Sequence, residues 1–218
     1  MTTNIKIFVG LILLISAVYI LSATDYIAED SERWKEMYVD TAPAKTVSKW
    51  LVPFITKDRS KFKTISLVSS FGAHRNSFRK GHKHTGTDII PKKRNRSDSA
   101  WVYPMAEGVV CSIHLGDPHK TVVVRHLLKN SKTMFTSYKH ITDIGVKPGQ
   151  QVTHRTRIAR LYTKKEARKL GGNYDHLHLE VRKMFDDYGC ASWNSMTKAE
   201  LNKRFFDPWK FMKKRVGK

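Results

Sequence analysis

Two short motifs carry the side chains best suited to bind a metal ion. His176 and His178 stand two residues apart in an alternating apolar and polar segment, and His84 stands four residues before Asp88. On a β-strand the side chains of residues i and i+2 point to the same face, so both imidazoles of the first pair would project into one space. Imidazole nitrogens and carboxylate oxygens are donors suited to zinc. A catalytic zinc has three protein ligands and a water, so these four side chains must be divided between metal binding and acid–base work.

The elements that must position these residues have the pattern of a β protein. From about residue 63, short runs rich in β-branched and aromatic residues alternate with Gly, Pro and Asp, which predicts a mostly antiparallel β-sheet or sandwich. The predicted strands cover residues 64–69, 86–90, 108–114, 121–125, 133–138, 151–153, 157–161 and 176–181. Short helices are predicted at 164–170, where Gly171 follows as a C-cap, and at 196–205.

The residues before this domain differ in kind. Residues 7–23 form an uncharged apolar run, short for a membrane span and long for the core of a signal peptide. We therefore expect residues 1–23 to be a membrane anchor or a cleaved signal, with the rest exported to the periplasm or cell envelope. Residues 24–60 are predicted to be a helical connector, with a helix at 29–38 and a short helical or docking piece at 48–53. Residues 61–212 would form the main domain, which carries the candidate metal ligands, and residues 213–218 a basic tail.

The charge of the chain indicates an anionic partner. Forty Lys and Arg against 19 Asp and Glu give a formal net charge of +21 and an isoelectric point near 10.1. For an exported protein, anionic envelope polymers or lipid head groups are favoured over nucleic acid, because the basic runs at 92–96 and 213–215 lack interleaved aromatic residues. A basic protein that is merely soluble is the alternative.

The two cysteines, Cys111 and Cys190, could form a disulfide in an oxidising compartment or remain separate buried thiols. Neither lies in a Cys-x-x-Cys motif, which disfavours thiolate ligation of zinc and redox catalysis. The sequence also contains no His-Glu-x-x-His and no Gly-x-Ser-x-Gly motif. The commonest zinc-protease signature and the serine-hydrolase elbow are therefore both missing.

Five of the ten histidines have no partner at ligand spacing. His82 competes with His84, but only His84 stands four residues before an acid, so we prefer His84. Asp175, next to the histidine pair, is expected to be an exposed turn acid or, alternatively, a hydrogen-bond acceptor for a histidine. The histidines predicted to lie at the surface or in turns are His74, His114, His119, His126 and His154.

Several motifs follow one another in a fixed order between about residues 63 and 211. They are Ser70-Phe-Gly72, His84-Thr-Gly-Thr-Asp88, Tyr138-Lys-His140, Val146-Lys-Pro-Gly-Gln-Gln-Val152, His176-Leu-His178-Leu-Glu-Val-Arg182 and Asp207-Pro208. In order and spacing they resemble the lysostaphin-type, or LytM-like, zinc metalloendopeptidases of bacterial cell walls. The resemblance covers about two-thirds of the chain. Thr153–Thr156 replaces a glycine-containing turn of that family, and Asp175 replaces a glycine, so the groove should differ in shape.

The resemblance implies a division of labour among the candidates. One Zn²⁺ ion would be held by His84, Asp88 and His178, and the two non-ligand active-site histidines would be His140 and His176. One of these two would take a proton from water and the other would hydrogen-bond the oxyanion, in an order that stays open here. The implied reaction is hydrolysis of a peptide bond in peptidoglycan stem peptides or cross-bridges during cell-wall remodelling.

Other functions are kept as alternatives. A catalytically inactive relative could bind the wall and regulate another hydrolase, but all five positions are filled here, which favours an active enzyme. A secreted zinc protease acting on proteins would use the same chemistry. No nucleic acid is expected as a partner, because the predicted export and the composition of the basic runs argue against it. Which peptide bond is cut is not recorded in any of these motifs.

Overall fold

A computed structural model describes residues 36–38, 42–55, 58–75, 82–185 and 197–218 of the chain. All of them belong to one unit, residues 36–218. The strands are β1 (Glu36–Tyr38), β2 (Ile65–Ser69), β3 (His74–Arg75), β4 (His82–Lys83), β5 (Thr87–Pro91), β6 (Trp101–Val102), β7 (Gly108–His114), β8 (Thr121–Leu127), β9 (Thr133–Lys139), β10 (Ile141–Thr142), β11 (Gln151–Val152), β12 (Ala159–Leu161), β13 (Leu177–Arg182) and β14 (Phe205–Phe206). The helices are α1 (Lys164–Lys169), α2 (Lys198–Arg204) and α3 (Pro208–Arg215), and Phe62–Thr64 form a 3₁₀ turn.

One antiparallel sheet dominates the described residues. Its strands lie in the order β1-β7-β8-β9-β13-β5-β2, with β11 beside β7 and β14 beside β13. A second sheet has the order β10-β12-β6, and β3 and β4 form a hairpin. The predicted fold class, a mainly antiparallel β domain with short peripheral helices, is confirmed.

The long strands β7, β8 and β9 form the rigid centre of the main sheet. Every residue of β7 is buried, and so are most residues of β8 and β9. Val110, Val122, Val124 and Tyr138 are fully buried in the main core. Burying one such aliphatic side chain stabilises the fold by about 1.5–3 kcal/mol. The strands that carry the site therefore lie beside a well-packed sheet.

The predicted helical connector is wrong where the structure describes it. Glu36–Tyr38 form strand β1 beside β7, and residues 29–35 lie outside the described residues. Residues 48–53 are not helical either, because their backbone bonds to other loops: Leu51 N–H donates to Met105 O at 2.8 Å and Val52 N–H to Arg59 O at 2.9 Å. These tertiary hydrogen bonds replace helical ones, and residues 50–53 of the segment are buried.

The C-terminal residues also pack on the domain. Lys213, Lys214 and Arg215 belong to the last turn of α3. Val216 is buried and forms a β-bridge with Trp50, whose ring contacts Phe211 edge-on at 4.9 Å. The predicted basic tail thus begins inside a helix.

The helices begin and end as their sequences indicate. In α1, the Thr163 hydroxyl accepts from the Glu166 amide and the Glu166 carboxylate accepts from the Thr163 amide, which is a capping box. Gly171 follows with φ +79°, a left-handed conformation that favours glycine. Within the described parts of the chain, no helix is long and apolar enough to cross a membrane. The predicted anchor or signal at 7–23 lies outside the described residues, as does Cys190, so both predictions stay open.

Candidate metal centre

Strands β5 and β13 bring the two sequence motifs together. They pair antiparallel, with His178 directly opposite Asp88. His84 precedes β5 and reaches the same place across Gly86. A Cβ atom at Gly86 would lie 2.5 Å from Leu179 O and 2.7 Å from His178 Nε2, so a larger side chain at this position would displace the histidine. The glycine of His-Thr-Gly-Thr-Asp is required by this close approach.

Three donor atoms converge where the motifs meet. His84 Nε2 lies 3.0 Å from Asp88 Oδ1 and 2.8 Å from His178 Nδ1, and His178 Nδ1 lies 3.1 Å from Asp88 Oδ1. All three residues are buried. Among the residues that the structure describes, they form the group that could hold a metal ion.

The outer hydrogen bonds of the two histidines fix which ring nitrogen faces inward. His84 Nδ1 lies 2.8 Å from Ser70 O, and a carbonyl oxygen can only accept, so Nδ1 carries the proton. His178 Nε2 lies 3.1 Å from Glu180 Oε1 and donates in the same way. Both inward nitrogens, His84 Nε2 and His178 Nδ1, therefore present lone pairs to each other and to Asp88.

The carboxylate of Asp88 is held in its ionised form. Its second oxygen, Oδ2, accepts from an Arg75 guanidinium N–H at 2.9 Å. One oxygen of Asp88 thus remains directed at the two histidines.

This arrangement fits a zinc ion. Three lone-pair donors at 2.8–3.1 Å repel one another unless a cation lies among them. Nitrogen and oxygen ligands of a tetrahedral zinc with bonds of about 2.0–2.1 Å lie about 3.3 Å apart. Two imidazoles and one carboxylate are also a ligand set used by catalytic zinc sites. The donor chemistry and spacing of His84, Asp88 and His178 agree with both requirements.

The two remaining predicted residues lie beside these donors. The ring centroid of His140 is 5.1 Å from that of His176 and 5.9 Å from that of His178. His176 Nε2 lies 3.5 Å from Asp88 Oδ1. The structure therefore brings all five predicted residues to one place, and their chemical roles stay predictions.

His140 is held in one tautomer and one protonation state. Its Nδ1–H donates to Pro118 O at 3.0 Å, which leaves the lone pair on Nε2. Burial lowers the pKa of His140 well below its usual range, and the neighbouring His176, His119 and His178 lower it further. His140 also has φ 64°, a left-handed conformation that costs energy for a residue with a side chain. A neutral imidazole is therefore fixed beside the three donors.

Sequence reasoning missed a buried ionic network behind His178. Glu180 is fully buried and accepts from His178, from the Thr85 hydroxyl and from Arg182 Nε, the last at 2.8 Å. Burial alone would raise the pKa of Glu180, but the charges of Arg182 and Lys139 and the bond from His178 hold it well below its usual range. The signal was available, since Glu180 follows His178 by two residues on the same strand face.

Replacing Glu180 by Gln should weaken zinc binding without removing a ligand. The amide presents a weaker acceptor to His178 Nε2–H, and changes to such outer partners typically cost about 10–100-fold in metal affinity. Competition with a fluorescent chelator measures the zinc dissociation constant, and circular dichroism checks that the variant is folded. Glu200→Gln, in the capping box of α2, is the matched control. Equal zinc affinity in the Glu180 variant and the wild type would show that this hydrogen bond does not orient His178.

Several histidines predicted to lie at the surface or in turns are instead buried. His114 and His126 are both fully buried on β7 and β8, so the prediction is wrong for them. His126 Nδ1–H donates to Glu107 O at 2.7 Å, and its Nε2 lies 2.7 Å from Thr136 Oγ1. These hydrogen bonds make a histidine acceptable in the core. His126 lies on the same face of β8 as the core residues Val122 and Val124. Because histidine is polar, the sequence alone did not indicate that it would be buried there.

His119 and Tyr174 were also missed as neighbours of the site. The His119 ring is 5.2 Å from His140 and 5.6 Å from Tyr174, and the Tyr174 ring is 5.0 Å from His140. Both are partly exposed, so they flank His140 on its solvent side. No short spacing in the sequence connects His119 with the other site residues.

The prediction that Asp175 is an exposed turn acid is wrong. Its side chain is 1% exposed and both carboxylate oxygens accept from the Arg96 guanidinium. Arg94 donates to its backbone oxygen at 2.7 Å. These contacts attach the basic loop at 92–96 to the chain immediately before His176. The side chain that donates to the Asp175 carboxylate is thus an arginine and not a histidine.

Replacing Arg96 by Ala should lower the free energy of unfolding by about 1–3 kcal/mol, because a buried carboxylate loses its donors. Burial alone would raise the pKa of Asp175, but the Arg96 hydrogen bonds and charge hold it below its usual value. The stabilisation is therefore complete above the unfolded pKa of about 3.9 and is lost as the pH falls through the lower folded pKa. Urea denaturation at pH 7 and at acidic pH measures this, with exposed Arg155→Ala as the control. An equal loss at both pH values would contradict it.

A comparison with known families decides which family the chain represents. The sequence profile of peptidase family M23 matches residues 82–192, which is half of the 218 residues. The chain belongs to peptidase family M23. Enzymes of this family are zinc-dependent, and the M23 domain contains the His-Asp-His group described above. No curated protein matches the chain at a significant level.

Three solved structures to which this M23 protein is similar share 18–23% of its residues. A chain of the SpoIIQ–SpoIIIAH pore-forming complex is 18% identical over 77% of this chain and 93% of that chain, with a TM-score of 0.48. A zinc-containing peptidase from Vibrio cholerae is 23% identical over 62% and 37% of the two chains, with a TM-score of 0.43. LytU is 19% identical over 69% and 86%, with a TM-score of 0.40. Membership of the family therefore depends on the sequence profile and not on these similarities.

Proposed function

We propose that this M23 protein is a zinc-dependent endopeptidase that hydrolyses peptide bonds in peptidoglycan stem peptides or cross-bridges. The observation that carries the proposal is the convergence of His84 Nε2, Asp88 Oδ1 and His178 Nδ1 within 3.1 Å of one another, with inward lone pairs. Two further histidines stand beside these atoms. Degenerate, inactive relatives would be expected to lack some of these five side chains, and none is replaced here.

His84, Asp88 and His178 would hold the ion. When bound, zinc polarises the scissile carbonyl and lowers the pKa of water toward 7. His140 and His176 lie beside the three ligand side chains and His176 is partly exposed, so we expect substrate to approach from the side of these two histidines. Burial of the ligands excludes bulk water and strengthens the electrostatic interactions in the site.

We assign the general base to His140 and the oxyanion donor to His176. His140 donates Nδ1–H to Pro118 O, so its Nε2 is the atom that takes up a proton from the attacking water. His176 is more exposed, with 13% of its side chain accessible, and its ring lies 5.1 Å from that of His140. An N–H of His176 would then hydrogen-bond the developing oxyanion.

The proposed substrate and location rest on the resemblance and the charge. A net charge of +21 favours the anionic polymers of a cell envelope as partners. We propose that the protein acts in the periplasm or cell envelope, tethered through residues 7–23 if that segment is retained.

Digestion of purified sacculi tests the proposal. Protein loaded with zinc should release peptide-cleaved fragments, detected by mass spectrometry with new amino termini, and a chelator should abolish release until zinc is restored. Zinc bound at one ion per chain with no fragments released would show an inactive wall-binding regulator instead. Cleavage of casein but not of sacculi would show a protease that acts on proteins.

A further inference from the structure

A second concave site lies at the end of the domain away from the metal centre. It is a pocket of about 570 Å³ whose apolar lining includes Trp50, Leu128, Met134 and Phe211. Strand β9 connects the two sites: Met134 near its start lines the pocket, and His140 follows its end. At about 3.3 Å per residue, this strand separates the pocket from the metal centre by about 20 Å.

The rim of the pocket is cationic. The charged residues that line it are Lys49, Lys129, Lys214, Arg215 and Lys218, and no Asp or Glu is among the lining residues. Lys49, Lys129, Lys214 and Arg215 are exposed, and none of them forms an ion pair with a carboxylate of the described residues. Ser48, which also lines the pocket, holds the neighbouring Glu107 carboxylate by hydrogen bonds of 3.1 and 2.7 Å. That carboxylate is therefore directed at Ser48.

Stabilisation of a helix end explains only some of the cations on the rim of the pocket. Cations in the last turn of a helix are stabilised by the helix dipole, and this applies to Lys214 and Arg215 of α3. Lys49 comes from the extended N-terminal segment and Lys129 from the turn between β8 and β9, so helix stabilisation does not explain them. Three separate segments thus place cations around one apolar floor.

We propose that this pocket binds a phosphate-bearing polyol or sugar unit of an anionic polymer. The convergent cations select an anionic group. The volume exceeds that of a phosphate ion and falls in the range of about 300–1,000 Å³ that is typical of sites for small organic ligands. The rings of Trp50 and Phe211 offer an apolar surface to the carbon body of such a unit.

The shape favours a soluble polymer over a membrane surface. Residues that insert into lipid project from the protein, whereas Trp50 and Met134 are each only 7% exposed. The proposal does not depend on the zinc site or on peptidase activity, because the pocket lies at the opposite end of β9.

Calorimetric titration of the full-length protein with a poly(glycerol phosphate) oligomer tests the proposal at fixed ionic strength. The oligomer should bind more tightly than inorganic phosphate, and glycerol should not bind. The double variant K129E/K214E should weaken oligomer binding at least about tenfold. The reason is that one hydrogen bond to a charged group changes a dissociation constant by about tenfold or more. The control K147E/K169E makes the same charge change in an exposed loop and in the last turn of α1, and should cost less than about threefold.

Each other outcome overturns the proposal. Equal losses in the two double variants would mean that only net charge attracts the oligomer. If inorganic phosphate bound as tightly as the oligomer, the apolar floor would contribute nothing to binding. Binding to vesicles of phosphatidylglycerol in phosphatidylcholine, without binding to the oligomer, would assign the face to lipid. Because all these titrations are independent of zinc and of cleavage, failure here leaves the proposed peptidase function intact.

Discussion

Replacing Asp88 by asparagine should remove zinc binding and peptidase activity together. The amide keeps the shape of the side chain but lacks the negative charge that offsets the charge of the ion. It also leaves His84 and His178 as the two remaining donors, one fewer than a catalytic zinc site needs. We expect the zinc dissociation constant to rise by more than about a hundredfold, the upper end of what removal of a ligand's hydrogen-bonding partner costs. Elemental analysis after dialysis and chelator competition measure the loss.

The matched control for this change is Asp98→Asn. Asp98 is exposed in a turn of the basic loop, and its backbone oxygen, which the substitution leaves in place, accepts from Arg94. Its variant should bind zinc and cleave sacculi as the wild type does. An Asp88 variant that kept one zinc per chain at wild-type affinity would contradict the ligand assignment. A variant that failed to fold would be recognised by circular dichroism, and His84→Ala would then test the same site through a different ligand.

The sequence could predict the strands because their patterns are local. The bounds predicted for 108–114 coincide with β7, and those for 133–138 end one residue before β9 does. The same-face rule for i and i+2 placed His176 and His178 beside one space, which the structure reproduces. The contact between His178 and Asp88 could not be predicted from a local pattern, because it depends on the pairing of β13 with β5. No spacing rule gives that pairing, and it was expected only from the resemblance to a known family.

The features that could not be predicted depend on tertiary contacts. The composition of residues 48–53 indicates a short helical or docking piece, but hydrogen bonds to other loops hold Leu51 and Val52 in the core. The sequence predicts a surface position for His126, because nothing in it shows that Glu107 O and Thr136 Oγ1 lie within hydrogen-bond distance of its two ring nitrogens. Asp175 was taken for a turn acid because its partner Arg96 lies far away in the sequence. In each case a polar group is buried because a distant residue satisfies it.

Replacing His140 by Ala should leave zinc bound and lower the rate of peptide cleavage about 10²–10⁴-fold, the range typical of losing a general acid–base group. His140 is not one of the three predicted ligands, and its ring centroid lies 5.9 Å from that of His178, so the metal site should persist. The substitution should lower kcat and leave KM little changed, because the proton is transferred in the transition state and not when substrate binds. Single-turnover cleavage with zinc held at saturation measures this separately from metal affinity.

His154→Ala is the control, because that histidine is partly exposed and its ion pair is with Glu107, away from the site. Comparison with Glu180→Gln then separates the two kinds of defect. Excess zinc should restore activity to the Glu180 variant, whose fault lies in affinity, and should restore nothing to the His140 variant, whose fault lies in proton transfer. Normal turnover by His140→Ala with one zinc bound would instead move the general base to His176. The tautomer fixed by Pro118 O would then serve only to position the ring.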